Sequence, residues 1–310
     1  MERILIFFRK RKNISSKTIN SNERVGGITS NQLDINDQTK NDIVSEEKSS
    51  SLTIEKDSDN TIASSTEELV KSITKKLHTP ADLVIHYVTE TITVVFLENL
   101  IKEDVLNEKI LPKLQNSTEE TPVNIQKSLP LSQVSISDQL DNSVKTMLFG
   151  AVLIHIEGYP LTVLAEIPKI ESRSLSAPEN ESQVIGSQVG FNESISTNIS
   201  LIRRYIMNPN LCNEKLIVGK QTNTNLTLLF IDGIATEQNV NTVRQRIQNL
   251  DIEDLLDSAM LAELIDDSSI SIFPQMLLTE RPDRFCDGLL SGKVGILVDG
   301  SSMGILCPIS

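Results

Sequence analysis

Tryptophan is absent from the chain, and aromatic residues make up only 4% of its 310 positions. Stacking platforms for bases or sugar rings are therefore scarce. Cysteine is nearly absent too. Cys212, Cys286 and Cys307 are odd in number and share no metal-ligand spacing, so they read as reduced core residues in a cytoplasmic setting. The three histidines, His78, His86 and His155, lie far apart, and structural roles are expected for them. No nucleophile has a base at a recognisable spacing and no metal-ligand set exists, so no catalytic residue, metal or cofactor is expected, and the chain does not read as an enzyme. Positive charge is in short supply: 29 Lys and Arg against 42 Asp and Glu leave a formal net charge of −13. Such a surface repels phosphate, which argues against DNA or RNA as a partner. Long apolar runs are also missing, and nothing approaches the ~20 residues of a membrane helix. The opening MERILIFFRKRKN has only Ile4 to Phe8 before four basic residues, the reverse of a signal peptide. It reads as a solvated basic tail or as a weak anchor to an anionic membrane face.

What is present is mixed α/β patterning. From Asn13 to about Ser65 the chain is polar, and residues 1–65 are expected to be a disordered tail, because so few apolar groups cannot offset ordering entropy. Order is expected from Ser65-Thr-Glu-Glu68, a capping-box pattern, followed by Leu69, Ile73 and Leu77 on one helical stripe. Two strands, at 82–88 and 91–97, come next, then a helix from about Lys102 broken at Pro112. Residues 116–137 read as loop, 138–147 as a short helix, and 150–166 as a hairpin. Residues 168–189 are polar and irregular, the crossover between a first lobe (66–167) and a second (190–310).

The order then repeats. Phe191, Ile195, Ile199, Ile202 and Ile206 share a helical face, and strands follow at 215–220 and 225–231. Two helices come next, one through Val240, Val243, Ile247 and Leu250, the other through Leu255, Leu256, Ala259, Met260 and Leu264. TVVFLENL at 93–100 aligns with TLLFIDGI at 227–234, and GAVLIHIEGYPLTVLAE at 150–166 with GKVGILVDGSSMGILCP at 292–308. An internal duplication follows: two related lobes, each a small mixed sheet of about four strands with packed helices.

The last helix and hairpin, TERPDRFCDGLLSGKVGILVDGSS (279–302), concentrate glycines, a lysine and a thiol. A phosphate loop fails here: Gly288 and Gly292 enclose three residues instead of four, and Lys293 precedes Val294. Phe285, Cys286, Leu289 and Leu290 instead form an apolar helical face, and Gly292 can take the left-handed conformation that ends the helix. Acid-Gly pairs stand at both hairpin corners, Glu157-Gly158 and Asp299-Gly300, where turn chemistry alone accounts for them.

The segments 173–206, 216–235, 273–301 and 304–308 resemble the A subunit of GerA-type spore germinant receptors, TERPDR to VDGS most specifically. Ser302 stands where that family commonly has Pro, and Cys286 where it has a small or aliphatic residue. The resemblance implies a soluble N-terminal domain, facing the core side of the endospore inner membrane. B and C subunits and other A subunits would be its partners, with membrane attachment through a C-terminal part beyond this chain. Its expected role is to couple sensing of nutrients to ion release and germination; the alternative is a nutrient-binding module with the ligand between the lobes. Arg203 and Arg204, on consecutive helix positions, cannot share a face; one can pair with a crossover acid such as Glu179 or Glu181. Arg173, Arg281, Asp283 and Arg284 complete the expected lobe or subunit interface, and Gly158, Gly292, Asp299 and Gly300 the structural turns.

Overall fold

A computed structural model describes residues 60–116, 121–169, 181, 189–266 and 276–308. All of them belong to one compact unit, Glu55–Ser310. The first lobe runs α1 (Thr66–Lys76), β1 (Leu83–Tyr87), β2 (Ile92–Leu97) and a single 3₁₀ turn (Glu98–Leu100). A helical run follows: α2 (Glu103–Val105), a π turn (Leu106–Ile110) and α3 (Leu111–Gln115). The lobe closes with α4 (Pro122–Ser128), β3 (Val134–Ser137), α5 (Leu140–Leu148), β4 (Ala151–Ile156) and β5 (Thr162–Glu166). The second lobe runs α6 (Ile195–Tyr205), β6 (Leu211–Val218), β7 (Thr224–Ile231), α7 (Glu237–Gln248) and α8 (Ser258–Ile265). It ends with β8 (Leu277–Thr279), α9 (Pro282–Leu290), β9 (Val294–Val298) and β10 (Gly304–Cys307).

The sheets have five strands each, in the orders β1-β2-β4-β5-β3 and β6-β7-β9-β10-β8. These are the same order, as a duplication requires. Every described pairing is antiparallel, so the sheets are not mixed, and each gains a strand over expectation. The added strands, β3 and β8, have four and three residues, too short to display a period-two pattern.

Helices cover both faces of each sheet. In β2, Ile92, Val94 and Phe96 face Leu106, Ile110 and Ile125 on one side, while Val95 and Leu97 face Leu69, Ile73 and Met147 on the other. Burial on both faces explains why ITVVFL and AVLIHI are almost wholly apolar, broken only by the buried Thr93 and His155. In the second lobe α6 and α9 pack on one face and α7 and α8 on the other.

Several sequence expectations shift. Asn60–Ser65 is already placed, with Ile62 buried in the first lobe, so order starts ahead of Ser65. Ser65 makes no side-chain cap; Glu157 Oε2 instead accepts from the Thr66 N–H at 2.8 Å. The helix is not broken at Pro112: the π turn just before it widens the spacing of the carbonyls that the ring would strike. Residues 116–137 are not a loop throughout, since α4 and β3 lie there. In α8 the buried apolar residues are Leu261 and Ile265, whereas Leu256 and Leu264 are exposed; Leu255 is buried ahead of the helix. Leu290 is likewise exposed at the end of α9.

The acid-Gly corners do more than turn the chain. Asp299 Oδ1 accepts from the Ile195 N–H at 3.3 Å, the counterpart of Glu157 on Thr66. Gly158 N–H donates to Ser64 O and Gly300 N–H to Glu193 O. Each hairpin corner therefore holds the start of its lobe's first helix.

Candidate functional site

The polar chemistry of the molecule collects where the lobes meet. Helix α6 has two working faces. Ile195, Ile199, Ile202 and Ile206 bury into the second lobe, and Ser196, Ser200 and Arg203, at i, i+4 and i+7, form an adjoining stripe toward the first. Ser196 Oγ donates to Asn99 Oδ1 at 2.6 Å, and Ser200 Oγ donates to the Asn99 carbonyl. Arg203 Nε and Nη2 donate to Asp82 Oδ2 and Oδ1, both at 2.6 Å. Both side chains are only 2% exposed, so this two-point pair lies in a dry seam. Arg204 donates to the Lys169 carbonyl, and Ala81 N–H to Asn213 O at 2.9 Å. At the rim the His78 ring lies 3.2 Å from Asn210 Oδ1 and 3.6 Å from Asp232 Oδ2.

Beside the Asp82–Arg203 pair lies a cavity of about 120 Å³, walled by Asp82, Glu98 and Asn99 of the first lobe and Asn213, Lys215 and Asn225 of the second. Asn213 is buried, and neither its Oδ1 nor its Nδ2 has a hydrogen-bond partner among the described residues. An amide left in that state costs on the order of 1–3 kcal/mol. Partial burial raises the pKa of Glu98, the carboxylates of Asp82 and Glu103 raise it further, and Lys215 opposes them. The cavity thus offers acceptors on one wall and an ammonium and amides on the other.

The expected site residues divide. Arg203 and Arg204 do reach the lobe boundary. Arg203, however, pairs with Asp82 and not with a crossover acid, because its helix turns that face toward the β1 edge of the first sheet. Glu181 bonds instead to Thr279 Oγ1 and to Arg284 Nη1, at 2.6 and 2.7 Å, tying the crossover to the β8–α9 corner. Arg281 pairs with Asp283 two residues on. Arg173 and Glu179 lie outside the described residues. Gly158, Gly292 and Gly300 take positive φ, as their turns require, at 90°, 87° and 84°. Sequence reasoning missed Asp82, Asn99 and Asn213, which carry no local signal; Ser196 and Ser200 were legible only as a polar stripe beside an apolar one.

Among the described residues no group of three or more His, Cys, Asp or Glu could hold a metal ion. All three cysteines are buried. Burial pushes the Cys212 thiol up to about 11 and the Cys307 thiol up to about 12, and raises that of Cys286 as well. Thiols held neutral in this way are poor nucleophiles. No described helix is long and apolar enough to cross a membrane.

Fold and seam together define a duplicated, two-lobed α/β domain with a polar cleft, and the fold is shared with a solved domain. The N-terminal domain of the A subunit of the Bacillus megaterium spore germinant receptor GerK3 matches with a TM-score of 0.64 at 24% identity, covering 81% of this chain and 97% of that one. Residues 71–310 match the model of the Bacillus/Clostridium GerA spore germination protein family, and the chain belongs to that family. Spore germination protein KA of Bacillus subtilis is 34% identical over 222 residues, 70% of this chain and 41% of that protein. Spore germination protein A1 of the same organism is 35% identical over 199 residues, 61% of this chain and 41% of that protein. The chain therefore spans about two fifths of the length of these relatives.

Proposed function

We propose that this domain couples nutrient sensing to germination in a receptor of the endospore inner membrane, that it faces the core side, and that its seam is the working part. On this reading it has no catalytic role, and it acts with B and C subunits and other A subunits. The observation that carries the proposal is the dry, two-point Asp82–Arg203 pair between lobes that each have their own core. Any change of lobe angle must break or rebuild that pair, and packed interfaces of this kind switch between discrete arrangements. The test is Arg203→Lys, which keeps the charge and loses the fork. Spores carrying it at wild-type protein levels are expected to germinate slowly, and an unchanged rate would sink the proposal.

A second reading is favoured by Asn213: a small polar nutrient fills the cavity and satisfies the amide. A thermal-shift screen of the purified chain against amino acids, sugars and salts tests it, since a ligand specific to the native state raises Tm. A raised Tm that Asn213→Leu abolishes supports this reading; no shift with any nutrient removes it and leaves the coupling role standing.

A further inference from the structure

The turn from α1 into β1 sets backbone preference against conformation. Among the described residues, positive φ away from glycine occurs at His78, Thr79 and Asn223. Asparagine accepts this region readily. His78 and Thr79 are consecutive, at 57° and 52°. They close the end of α1: His78 N–H donates to Lys75 O at 3.2 Å and Thr79 N–H to Thr74 O at 2.8 Å. The first position past the cap of such a closure is ordinarily glycine. Thr79 is further out of place, because it is β-branched and precedes Pro80, and both features favour extended backbone. The counterpart helix α6 ends differently. Ile206 caps it at φ −119°, and neither Met207 nor Asn208 takes positive φ. The lobe fold itself therefore does not demand the left-handed pair.

Contacts across the seam flank Thr79 on both sides. Ahead of it, the His78 ring lies 3.2 Å from Asn210 Oδ1 and 3.6 Å from Asp232 Oδ2. Behind it, Ala81 N–H donates to Asn213 O at 2.9 Å, and Asp82 accepts both Arg203 bonds at 2.6 Å. Asn210, Asp232, Asn213 and Arg203 all belong to the second lobe. Unfavourable backbone persists where its surroundings over-determine it. Here those surroundings are the other lobe.

We infer that residues 78–82 form a strained strap, held left-handed by the closed seam and relaxing to extended backbone when the lobes part. The strain is present in the closed arrangement and absent from the open one, so it offsets part of the hold of the Asp82–Arg203 pair. It thereby sets how readily the seam opens. The strap requires no ligand, and only its bearing on germination rests on the coupling role proposed above.

The test is hydrogen exchange of the Ala81 amide in the whole chain. That amide is bonded across the seam and exchanges when the seam opens. Glycine adopts left-handed backbone freely. Thr79→Gly is expected to slow Ala81 exchange about tenfold, the effect of removing one left-handed side chain from the closed state. Thr79→Val, equally β-branched, is expected to exchange as wild type does. The Leu153 amide, in the central strand β4, reports global unfolding and is expected to exchange far more slowly than Ala81. Unchanged Ala81 exchange in Thr79→Gly would show strain that opening does not release. Ala81 exchanging as slowly as Leu153 would show a seam that does not open by itself. Either result overturns the inference. A wild-type germination rate in Thr79→Gly spores alongside slowed Ala81 exchange would count against the coupling role and leave the strap standing.

Discussion

Arg203 is among the largest fully buried side chains of the molecule, and among the described residues its counter-charge at ion-pair distance is Asp82, a residue from the other lobe. Truncating one member of such a pair strands the other in a dry site, at a cost of about 3–5 kcal/mol, whereas replacing both by apolar groups is far milder. Asp82→Asn is therefore expected to lower chemical-denaturation stability by several kcal/mol, and Asp82→Leu with Arg203→Leu to recover most of it. His155 makes a different prediction. Its ring is buried, with Nδ1 3.3 Å from Leu161 O and Nε2 3.3 Å from Ser64 O, and burial lowers its pKa against the smaller opposing pull of those carbonyls. A depressed histidine is charged more readily in the unfolded chain, so its stabilising effect is present above about pH 6.5 and is lost as pH falls below that value. Melting curves should show a decline in Tm from pH 6.5 to 5 that is shallower in His155→Asn. An equal slope in both proteins would assign the acid sensitivity elsewhere.

At the scale of elements, the hairpins and first helices act as paired units. Asp299 holds the start of α6, so Asp299→Ala should cost about 1 kcal/mol, the usual penalty for a lost helix cap. The two helix-ending glycines are not equivalent. Gly150 has φ 92° and its added Cβ would crowd both Leu100 O and Pro168, while at Gly292, with φ 87°, the close neighbour among the described residues is Ile234 O. Left-handed backbone alone costs a side chain about 1–2 kcal/mol. Gly150→Ala should then destabilise more than Gly292→Ala, and reversed denaturation midpoints would contradict the packing just described. Strand glycines follow another rule. A Cβ on Gly295 would stand 2.3 Å from the Phe285 ring, which meets Phe191 edge-on at 5.5 Å; the glycine makes room for that aromatic pair.

For the molecule as a whole, the question is which charges serve the fold and which serve an assembly. Arg281 pairs with Asp283 two residues on, at the start of α9, with side chains 15% and 29% exposed; a local pair that solvent reaches contributes about 1 kcal/mol. Arg281→Ala is expected to leave Tm nearly unchanged and, if this corner meets another subunit, to slow germination. Normal germination at wild-type protein levels would remove it from the interface. Arg203→Lys, by contrast, should move both readouts, because its partner lies in the other lobe.

The sequence by itself determined the two lobes, the repeat of helices and hairpins, and the positions of the turns. Periodicity, acid-Gly corners and aligned segments are local signals, and each is written in neighbouring residues. The family resemblance was legible for the same reason, in contiguous runs such as TERPDR to VDGS. Only the tertiary structure decided the partner of Arg203, the carboxylate on Thr66 and the buried amide of Asn213. These depend on residues far apart in the chain: Asp82 and Arg203 are 121 positions apart, and Thr66 and Glu157 are 91 apart. A polar side chain shows in the sequence that it needs a partner, but only the packing of one lobe against the other selects which.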